Sequence, residues 1–294
     1  MSMVGGSSPR APRRRSRRSK ARIPACFWPS FLMRRKSEGF WLDMVMNSKG
    51  CGDAAGPEVE VFETADGSKT LVDVERGVHY RSRHGAVQES RHVFVEGSGL
   101  IARAGTWRVL ELGFGAAVNL VETVRAFRES DEAKRLVYHT VDWRPVGPEA
   151  LAFHEGEGGA LAREVAAKAT KRSGEAVRAL SEDGHVEVVL HAMAWDEVRL
   201  GEGEEVDAVY HDPFAKEVNP EAWTPACFAW SRSWAAPHAR LATYSAATAV
   251  RQAMEEAGWK VWRAKGPGRK REMTVATLQD ESVEPPGLKR WGQG

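Results

Sequence analysis

The sequence predicts an α/β protein built on a mostly parallel sheet, and three observations support that prediction. An apolar run typical of a strand ends at Leu112 and is followed by the turn Gly113-Phe114-Gly115. From Val118 onward, apolar residues recur at three-residue spacing, which indicates a helix. Strands and helical stretches then alternate along the rest of the chain. A strand, a glycine turn and a helix in this order are typical of the beginning of a nucleotide-type site.

The glycine turn favours some ligands over others. Its pattern is G-x-G without the third glycine of a dinucleotide site, because Val118 occupies that position. Glu111 precedes the turn and would repel a pyrophosphate, but it would suit a cationic group such as the amino group of S-adenosylmethionine. A Rossmann-type dehydrogenase is therefore disfavoured. A tight turn in an unrelated α/β protein remains open at this point.

The composition excludes several classes of protein. With 294 residues, 42% of them hydrophobic, the chain can form one large domain or two small ones. It has no apolar stretch of the roughly 18 residues that a membrane span needs, so we expect no membrane partner. Its three cysteines, Cys26, Cys51 and Cys227, form no C-x-x-C pair. We therefore expect no disulfide framework, no metal site and a cytoplasmic location.

Residues 1–56 differ from the rest of the chain. The first 37 residues hold eleven Lys and Arg and no acid, whereas the remainder has 31 basic and 40 acidic residues. This composition predicts a disordered basic extension. Three interpretations stay open: an RNA-binding arm, a targeting segment rich in Arg and Ser, or a stretch outside the functional protein, with Met44 or Met46 as the start.

From residue 57 the pattern is that of a folded domain, which we expect to end near 280 and to be followed by a flexible tail, 281–294. We predict a hairpin over 59–74, then a polar loop and a helix over 79–94. The remaining predicted elements are strands at 136–141, 186–190, 206–211 and 239–244, helices at 160–180 and 250–257, two helices between 211 and 239, and a closing antiparallel pair at 259–264 and 273–278. Trp223 and Trp259 are predicted to be core residues.

Acidic residues follow two of the predicted strands. Asp142 ends the second strand, where one carboxylate can accept both hydroxyls of a ribose. Asp212-Pro213-Phe214 follows the fourth strand, at the edge where such sheets bind ligands. Asp212 could accept a hydrogen bond from an amine and take up its proton, although a turn capped by Asp212 is the simpler alternative.

Several motifs resemble, in the same order, the family of methyltransferases that act on 5-aminomethyl(-2-thio)uridine at the tRNA wobble position. The resemblance spans about 59–278, and the motifs are Tyr80-Arg81-Ser82, Glu89-Ser90-Arg91-His92-Val93-Phe94, Glu111 to Gly115 with Asn119, Asp142, Asp212-Pro213-Phe214, Asn219-Pro220 with Trp223-Thr224, Leu241-Ala242-Thr243-Tyr244-Ser245, and Gly266-x-Gly268-Arg269-Lys270-Arg271-Glu272-Met273.

The resemblance implies a class I, Rossmann-like methyltransferase fold, S-adenosylmethionine as cofactor, tRNA as partner, and neither metal nor flavin, since no oxidase domain follows. The enzyme that supplies the aminomethyl group is a candidate second partner. The implied residues are Asp212 for catalysis; Glu111, Gly113, Phe114, Gly115, Asn119, Asp142 and Asp196 for the cofactor; and Tyr80, Ser82, Pro213, Phe214, Arg269, Lys270 and Arg271 for the substrate.

One departure from the family concerns the turn after the third strand. Relatives have a Gly-Asp pair there, whose Asp is expected to meet adenine, whereas this chain has His191-Ala192-Met193-Ala194-Trp195-Asp196. Either Asp196 takes that role from a shifted position or the contact is absent. Two other functions stay open: a small-molecule amine methyltransferase or aminopropyltransferase on the same fold, and a relative without catalytic activity.

Overall fold

The computed structural model describes residues 56–169, 174–201, 203–268, 270–279 and 285–292. The predicted extension, 1–56, lies outside these residues except for Gly56. A small antiparallel sheet comes first, with strands β1 (Val59–Glu63), β2 (Lys69–Asp73) and β3 (Val78–His79). This confirms the predicted hairpin. The polar segment that follows leads into helix α1 (Ala86–Ser90), which continues as a π-helical turn, Arg91–Glu96.

A nine-stranded sheet forms the centre of the fold. Its strands are β4 (Gly105–Leu112), β5 (Ala133–Val141), β6 (Ala176–Leu180), β7 (Val186–His191), β8 (Val206–His211), β9 (Ala235–Thr243), β10 (Lys260–Lys265), β11 (Glu272–Thr277) and β12 (Leu288–Arg290). They are ordered β12-β10-β11-β9-β8-β4-β5-β7-β6. The other helices are α2 (Val118–Glu129), α3 (Gly156–Ala169), α4 (Pro225–Ser233) and α5 (Thr248–Glu256), with 3₁₀ turns at Leu100–Ala102, Pro148–Leu151, Trp195–Glu197 and Pro220–Trp223.

The middle of the sheet is parallel, and this positions the site. Strand β4 pairs in parallel with β5 and β8, β5 pairs with β7, and β8 pairs with β9. The carboxyl ends of these five strands therefore lie at one edge. With the antiparallel pair β10–β11 beside β9, this is the class I, Rossmann-like fold that the sequence predicts.

Each face of the sheet is covered by its own hydrophobic core. Along β4 the side chains alternate, so that Val109 belongs to one core and its neighbour Leu110 to the other. Trp223 and Trp259 are buried in the second core, which confirms their prediction as core residues. Among the described residues, no helix is long and apolar enough to span a membrane.

Three predicted elements were wrong in part. Helix α3 ends at Ala169, and 176–180 forms the strand β6, antiparallel to β7. Val177 and Ala179 are buried and their neighbours are exposed, so the two-residue period of a strand prevails over helix-favouring composition. The predicted flexible tail contains β12, which pairs with β10. Only one α-helix, α4, separates β8 from β9, because the other segment is a single 3₁₀ turn.

Candidate active site

The glycine turn lies at the carboxyl end of β4, against the end of β8. Gly113 has a φ of +100°, and a Cβ atom there would come within 2.6 Å of the carbonyl oxygen of Asp212. Gly115 has a φ of +49°, and its Cβ would lie 3.0 Å from the ring of Tyr80. Both positions therefore require glycine, for conformation and for space. The turn brings together Tyr80 and Asp212, which were predicted from distant parts of the sequence.

Phe114, the middle residue of the turn, is a core residue. Its side chain is buried and packs in the cluster that contains Val118 and Tyr138. Any contact between Phe114 and a ligand would therefore involve its backbone. Ala117, immediately before α2, adopts a left-handed conformation with a φ of 57°. Three residues before the helix thus have a positive φ: Gly113, Gly115 and Ala117.

Glu111 lies beneath the turn and is fully buried. Its Oε1 accepts a hydrogen bond from the Asn119 side-chain amide at 2.9 Å, and its Oε2 accepts one from the Thr140 hydroxyl at 2.7 Å. Burial raises the pKa of Glu111 to about 7, although both hydrogen bonds lower it. A buried carboxyl group whose pKa is raised toward neutrality, below a glycine turn, is typical of a functional site.

Asn119 connects Glu111 to Asp212. Its amide nitrogen donates to Glu111 Oε1 and to Asp212 Oδ2, both at 2.9 Å. Its oxygen accepts a hydrogen bond of 2.6 Å from the Ser90 hydroxyl. The side chain is completely buried, and all of its donors are used. Asn119, predicted to bind the cofactor, is thus placed as the link between two carboxylates.

Asp212 is paired with Arg81, a residue that the sequence analysis did not place in the site. The two side chains form an ion pair through Asp212 Oδ2, and each is only 6% exposed. Arg81 also lies over the ring of Phe94, 5.3 Å from its centroid. Burial raises the pKa of Asp212 well above its usual value, and the nearby Arg81 charge opposes that rise. Membership in the motif Tyr80-Arg81-Ser82 was the one signal that could have identified Arg81.

Asp142 lies at the end of β5, beside the turn. Its Oδ2 accepts the N–H of Gly115 at 3.2 Å, and its Oδ1 accepts the N–H of Arg144 at 3.0 Å. Burial raises the pKa of Asp142, and these two hydrogen bonds oppose the rise. Trp143 follows with 57% of its surface exposed, which makes it one of the large apolar side chains that the described surface leaves open.

Asp196 is placed differently from the other acids. It lies on the exposed 3₁₀ turn Trp195–Glu197, shortly after β7. Its carboxylate makes no hydrogen bond or ion pair with any residue that the structure describes, and its backbone carbonyl accepts from Arg199 at 2.6 Å. The turn follows the parallel strand next to β5, on the same edge as Asp142. An adenine contact by Asp196 remains a prediction.

Aromatic side chains pack around the Asp212-Pro213-Phe214 segment. Tyr80 and Phe214 pack edge to face, with centroids 4.8 Å apart. The Tyr244 hydroxyl donates to the Pro213 carbonyl at 3.0 Å, and the indole N–H of Trp223 donates to the Phe214 carbonyl at 2.8 Å. These contacts fix the Asp212-Pro213-Phe214 segment and form an apolar wall next to the carboxylate.

The basic hairpin between β10 and β11 reaches the same region through Lys270. Lys270 forms an ion pair with the buried Glu89 and lies 5.5 Å from the ring centroid of Tyr244. Glu89 Oε2 also accepts the N–H of Ser82 at 3.2 Å. Arg271 is exposed, and Arg269 lies outside the described residues. Of the basic residues predicted to bind the substrate, Lys270 thus lies at the wall of the site and Arg271 on its exterior.

The described part of the chain contains no group of three or more His, Cys, Asp or Glu side chains arranged to hold a metal ion. The network at the glycine turn therefore consists of carboxylates, an amide, hydroxyls and one buried guanidinium. Such a set can bind cations and accept protons from an amine.

Comparisons with known proteins agree with this geometry. A family profile described as S-adenosyl-L-methionine-dependent methyltransferase matches residues 157–279. The tRNA 5-methylaminomethyl-2-thiouridine biosynthesis bifunctional proteins MnmC of Ralstonia nicotianae and Methylibium petroleiphilum are both 34% identical, over 68% and 72% of this chain and 31% and 34% of their own length. This chain thus spans about a third of those relatives.

A solved structure gives the same result at the level of the fold. The crystal structure of MNMC2 from Aquifex aeolicus superposes with a TM-score of 0.59 and 28% identity, covering 76% of this chain and 72% of that one. The chain therefore belongs to the family of S-adenosyl-L-methionine-dependent methyltransferases related to MnmC.

Proposed function

We propose that this protein transfers a methyl group from S-adenosylmethionine to the amino nitrogen of 5-aminomethyl(-2-thio)uridine at the tRNA wobble position. The observation that supports this most directly is the buried Asp212 carboxylate, held beside the glycine turn in a segment against which Tyr80, Phe214 and Tyr244 pack. The names of the curated relatives specify a 5-methylaminomethyl-2-thiouridine, whose methylamino group is the product of this reaction.

The residues around the glycine turn fit the methyl donor. Gly113 and Gly115 let the turn pack closely against Asp212 and Tyr80, and Asp142 lies beside the turn with its carboxylate held in place. In this proposal Asp142 binds the ribose hydroxyls, and Glu111, buried directly below, contributes its negative charge toward the methionine amino group. When bound, the donor supplies a methyl group activated by the sulfonium charge.

On the acceptor side, Asp212 orients the amine. The amine must be neutral to use its lone pair, and it must point that lone pair at the methyl carbon. An N–H of the amine donates to Asp212, and the carboxylate stabilises the positive charge that develops on nitrogen. Tyr80, Phe214 and Tyr244 exclude water from this place and contact the uracil ring. The aminomethyl group itself comes from another enzyme.

The basic hairpin is proposed to hold the tRNA backbone. Phosphate contacts position a nucleic acid without reading its sequence, and Lys and Arg side chains usually make them. Arg271 is exposed beside Lys270, and Lys270 connects the hairpin to the wall of the site through Glu89. A phosphate bound here would bring the modified base toward Asp212.

Transfer of a labelled methyl group tests the proposal. Purified protein is incubated with labelled S-adenosylmethionine and bulk tRNA from cells that lack this methyl group, and in parallel with fully modified tRNA and with small amines. Label is expected in the first tRNA alone, in the nucleoside that carries the aminomethyl group. Label in small amines without tRNA would instead support the small-molecule transferase, and no label in any acceptor would refute the proposal.

Substitutions of Asp212 test its assignment. Asp212→Asn keeps the size and one acceptor oxygen but loses the charge, so we expect single-turnover rates at saturating donor and tRNA to fall about 10²–10⁴-fold, close to those of Asp212→Ala. Asp131→Asn, on the exposed surface, is the matched control and should leave the rate unchanged. An Asp212→Ala variant with a near-normal rate would contradict the catalytic role.

A further inference from the structure

The two oxygens of the Asp212 carboxylate have different environments. Oδ2 is the atom held by the Arg81 guanidinium and by the Asn119 amide, at 2.9 Å from the latter. Oδ1 accepts no hydrogen bond from any residue that the structure describes. An incoming N–H donor therefore finds one fixed and one open oxygen on the same carboxylate.

The charges around Asp212 are mostly negative. Glu111 is connected to Asp212 through Asn119, and Glu89 is a second buried acid whose charge acts on Asp212. Both raise the pKa of Asp212, in addition to the effect of burial. Lys270 is paired with Glu89 at the outer wall of the site. Burial raises the pKa of Tyr244, so that this phenol is neutral near Asp212. Arg81 is the buried cation that contacts Asp212 directly, and it lowers the pKa.

We propose that Arg81 is a positioning residue that keeps Asp212 ionised and its Oδ1 open for the substrate amine. An isolated carboxylate in such a buried, acidic environment would take up a proton. A protonated Asp212 would no longer stabilise an amine cation. A guanidinium does not lose its proton in proteins, so this kind of side chain can fulfil the role throughout the catalytic cycle.

The proposal fits the proton balance of the reaction. The amine nitrogen forms a bond to the methyl carbon as the carbon–sulfur bond breaks, and the electron pair of that bond stays on sulfur. The product is a secondary ammonium, whose proton passes to the ionised Oδ1 of Asp212 and then to solvent. This step requires a carboxylate that starts without a proton, which is the state that the Arg81 contact stabilises.

The first test needs no substrate. Protein labelled with ¹³C at the aspartate carboxyl carbons is titrated by NMR, and the Asp212 signal is assigned from its loss in Asp212→Asn. In Arg81→Gln we expect the Asp212 pKa to rise by about 1–3 units relative to wild type, which is the usual effect of a lost opposite charge within contact distance. Arg81→Lys keeps the charge and should restore most of the difference.

A second variant tests the direction in which the removal of a nearby charge shifts the Asp212 pKa. Glu89→Gln removes a negative charge and releases the Lys270 charge from its ion pair, so it should lower the Asp212 pKa. Glu89→Gln retains size and acceptor capacity toward the Ser82 N–H, so it should fold and shows the direction of the charge effect on Asp212 independently of Arg81→Gln. An unchanged Asp212 pKa in the folded variants, or shifts of the same sign in Arg81→Gln and Glu89→Gln, would overturn the inference.

The kinetic consequence depends on the proposed function. In single turnover with saturating donor and tRNA, Arg81→Gln should move the acidic limb of the pH–rate profile upward and recover much of its rate at high pH, whereas Glu89→Gln should move it downward. A merely structural role of Arg81 would lower the rate by the same factor at every pH, and that result would overturn the inference. If wild-type protein transfers no methyl to tRNA, the proposed function fails while the NMR titration still decides the role of Arg81.

Discussion

A buried pair of histidines should make the stability of the protein sensitive to acid. His139 and His191 lie on the neighbouring strands β5 and β7, with rings stacked at 5.4 Å and Nδ1 of His139 3.1 Å from Nε2 of His191. Both side chains are buried, and burial lowers the pKa of His191 to about 4. The pKa of His139 is lowered for the same reason.

Whether acid lowers or raises the free energy of unfolding depends on whether the folded or the unfolded state binds the proton more strongly. Below about pH 6.5 an unfolded histidine is protonated, whereas His191 in the folded protein stays neutral down to about pH 4. The unfolded state therefore gains a proton as the pH falls, and the free energy of unfolding decreases. Between pH 8 and about pH 5.5 the loss from one such histidine is about 1.4 kcal/mol.

The assay compares variants, because other groups act in the opposite direction. The raised pKa values of Glu111 and Asp212 mean that these folded-state carboxyls bind protons more readily than unfolded ones, which adds stability at low pH. His191→Gln keeps a hydrogen-bonding group next to His139 but does not titrate. Urea unfolding from about pH 8 to 5.5 should show that wild type loses about 1.4 kcal/mol more than His191→Gln.

The control is His185→Gln, because the His185 side chain is 61% exposed. Its pH dependence of unfolding should match that of wild type within about 0.3 kcal/mol, since an exposed substitution usually has a small effect. If the free energy of unfolding falls by the same amount in His191→Gln and in wild type over this range, burial does not prevent protonation of His191, and the reasoning from burial fails.

Three further predictions concern the proposed ribose contact, the glycine turn and the basic hairpin. Asp142→Ala should weaken donor binding by about 1–3 kcal/mol in calorimetry, because hydrogen-bonded groups lose their partner, and unchanged affinity would remove Asp142 from the site. Gly113→Ala should destabilise the fold by at least about 2 kcal/mol in thermal unfolding, since its Cβ would meet Asp212, whereas Gly67→Ala, with open space around it, should cost only about 1 kcal/mol; equal losses would contradict the close contact. Replacing the basic hairpin residues Arg269, Lys270 and Arg271 together by Ala should weaken tRNA binding and flatten its salt dependence without changing donor affinity. An unaltered salt slope would show that these side chains do not contact the tRNA phosphates.

Sequence patterns predicted the parts of the site that depend on strand ends. Glu111, Asp142 and Asp212 each lie at or directly after the carboxyl end of a strand, and parallel strands bring those ends to one edge. Only the alternation of strands and helices was needed for that inference. The glycine turn was predicted for the same reason, because glycine marks a conformation that other residues rarely adopt.

The parts that the sequence did not predict depend on side-chain contacts between separate segments. Arg81 precedes the central sheet, and its place in the motif Tyr80-Arg81-Ser82 does not indicate that it is buried against Asp212. Asn119 was predicted to bind the cofactor, which stays a prediction, but no sequence pattern indicated that its amide joins Glu111 and Asp212. Strand β6 was assigned to a helix because its five residues are too few for composition to reveal a strand.

The register of one strand pair connects the proposed donor side of the site to the proposed acceptor side. In the parallel pairing of β4 with β8, Leu112 lies opposite His211, so the next residues, Gly113 and Asp212, meet at the end of the ladder. The N–H of Asp212 donates to the Leu112 carbonyl at 3.0 Å, and the missing side chain of Gly113 lets the two backbones approach. Methyl transfer requires the amine and the methyl carbon to be aligned within a few tenths of an ångström at a separation of about 3 Å. Because backbone hydrogen bonds fix the turn against the Asp212 segment, and the Arg81 and Asn119 side chains hold the carboxylate, the parts of this alignment that remain to be positioned are the ligands.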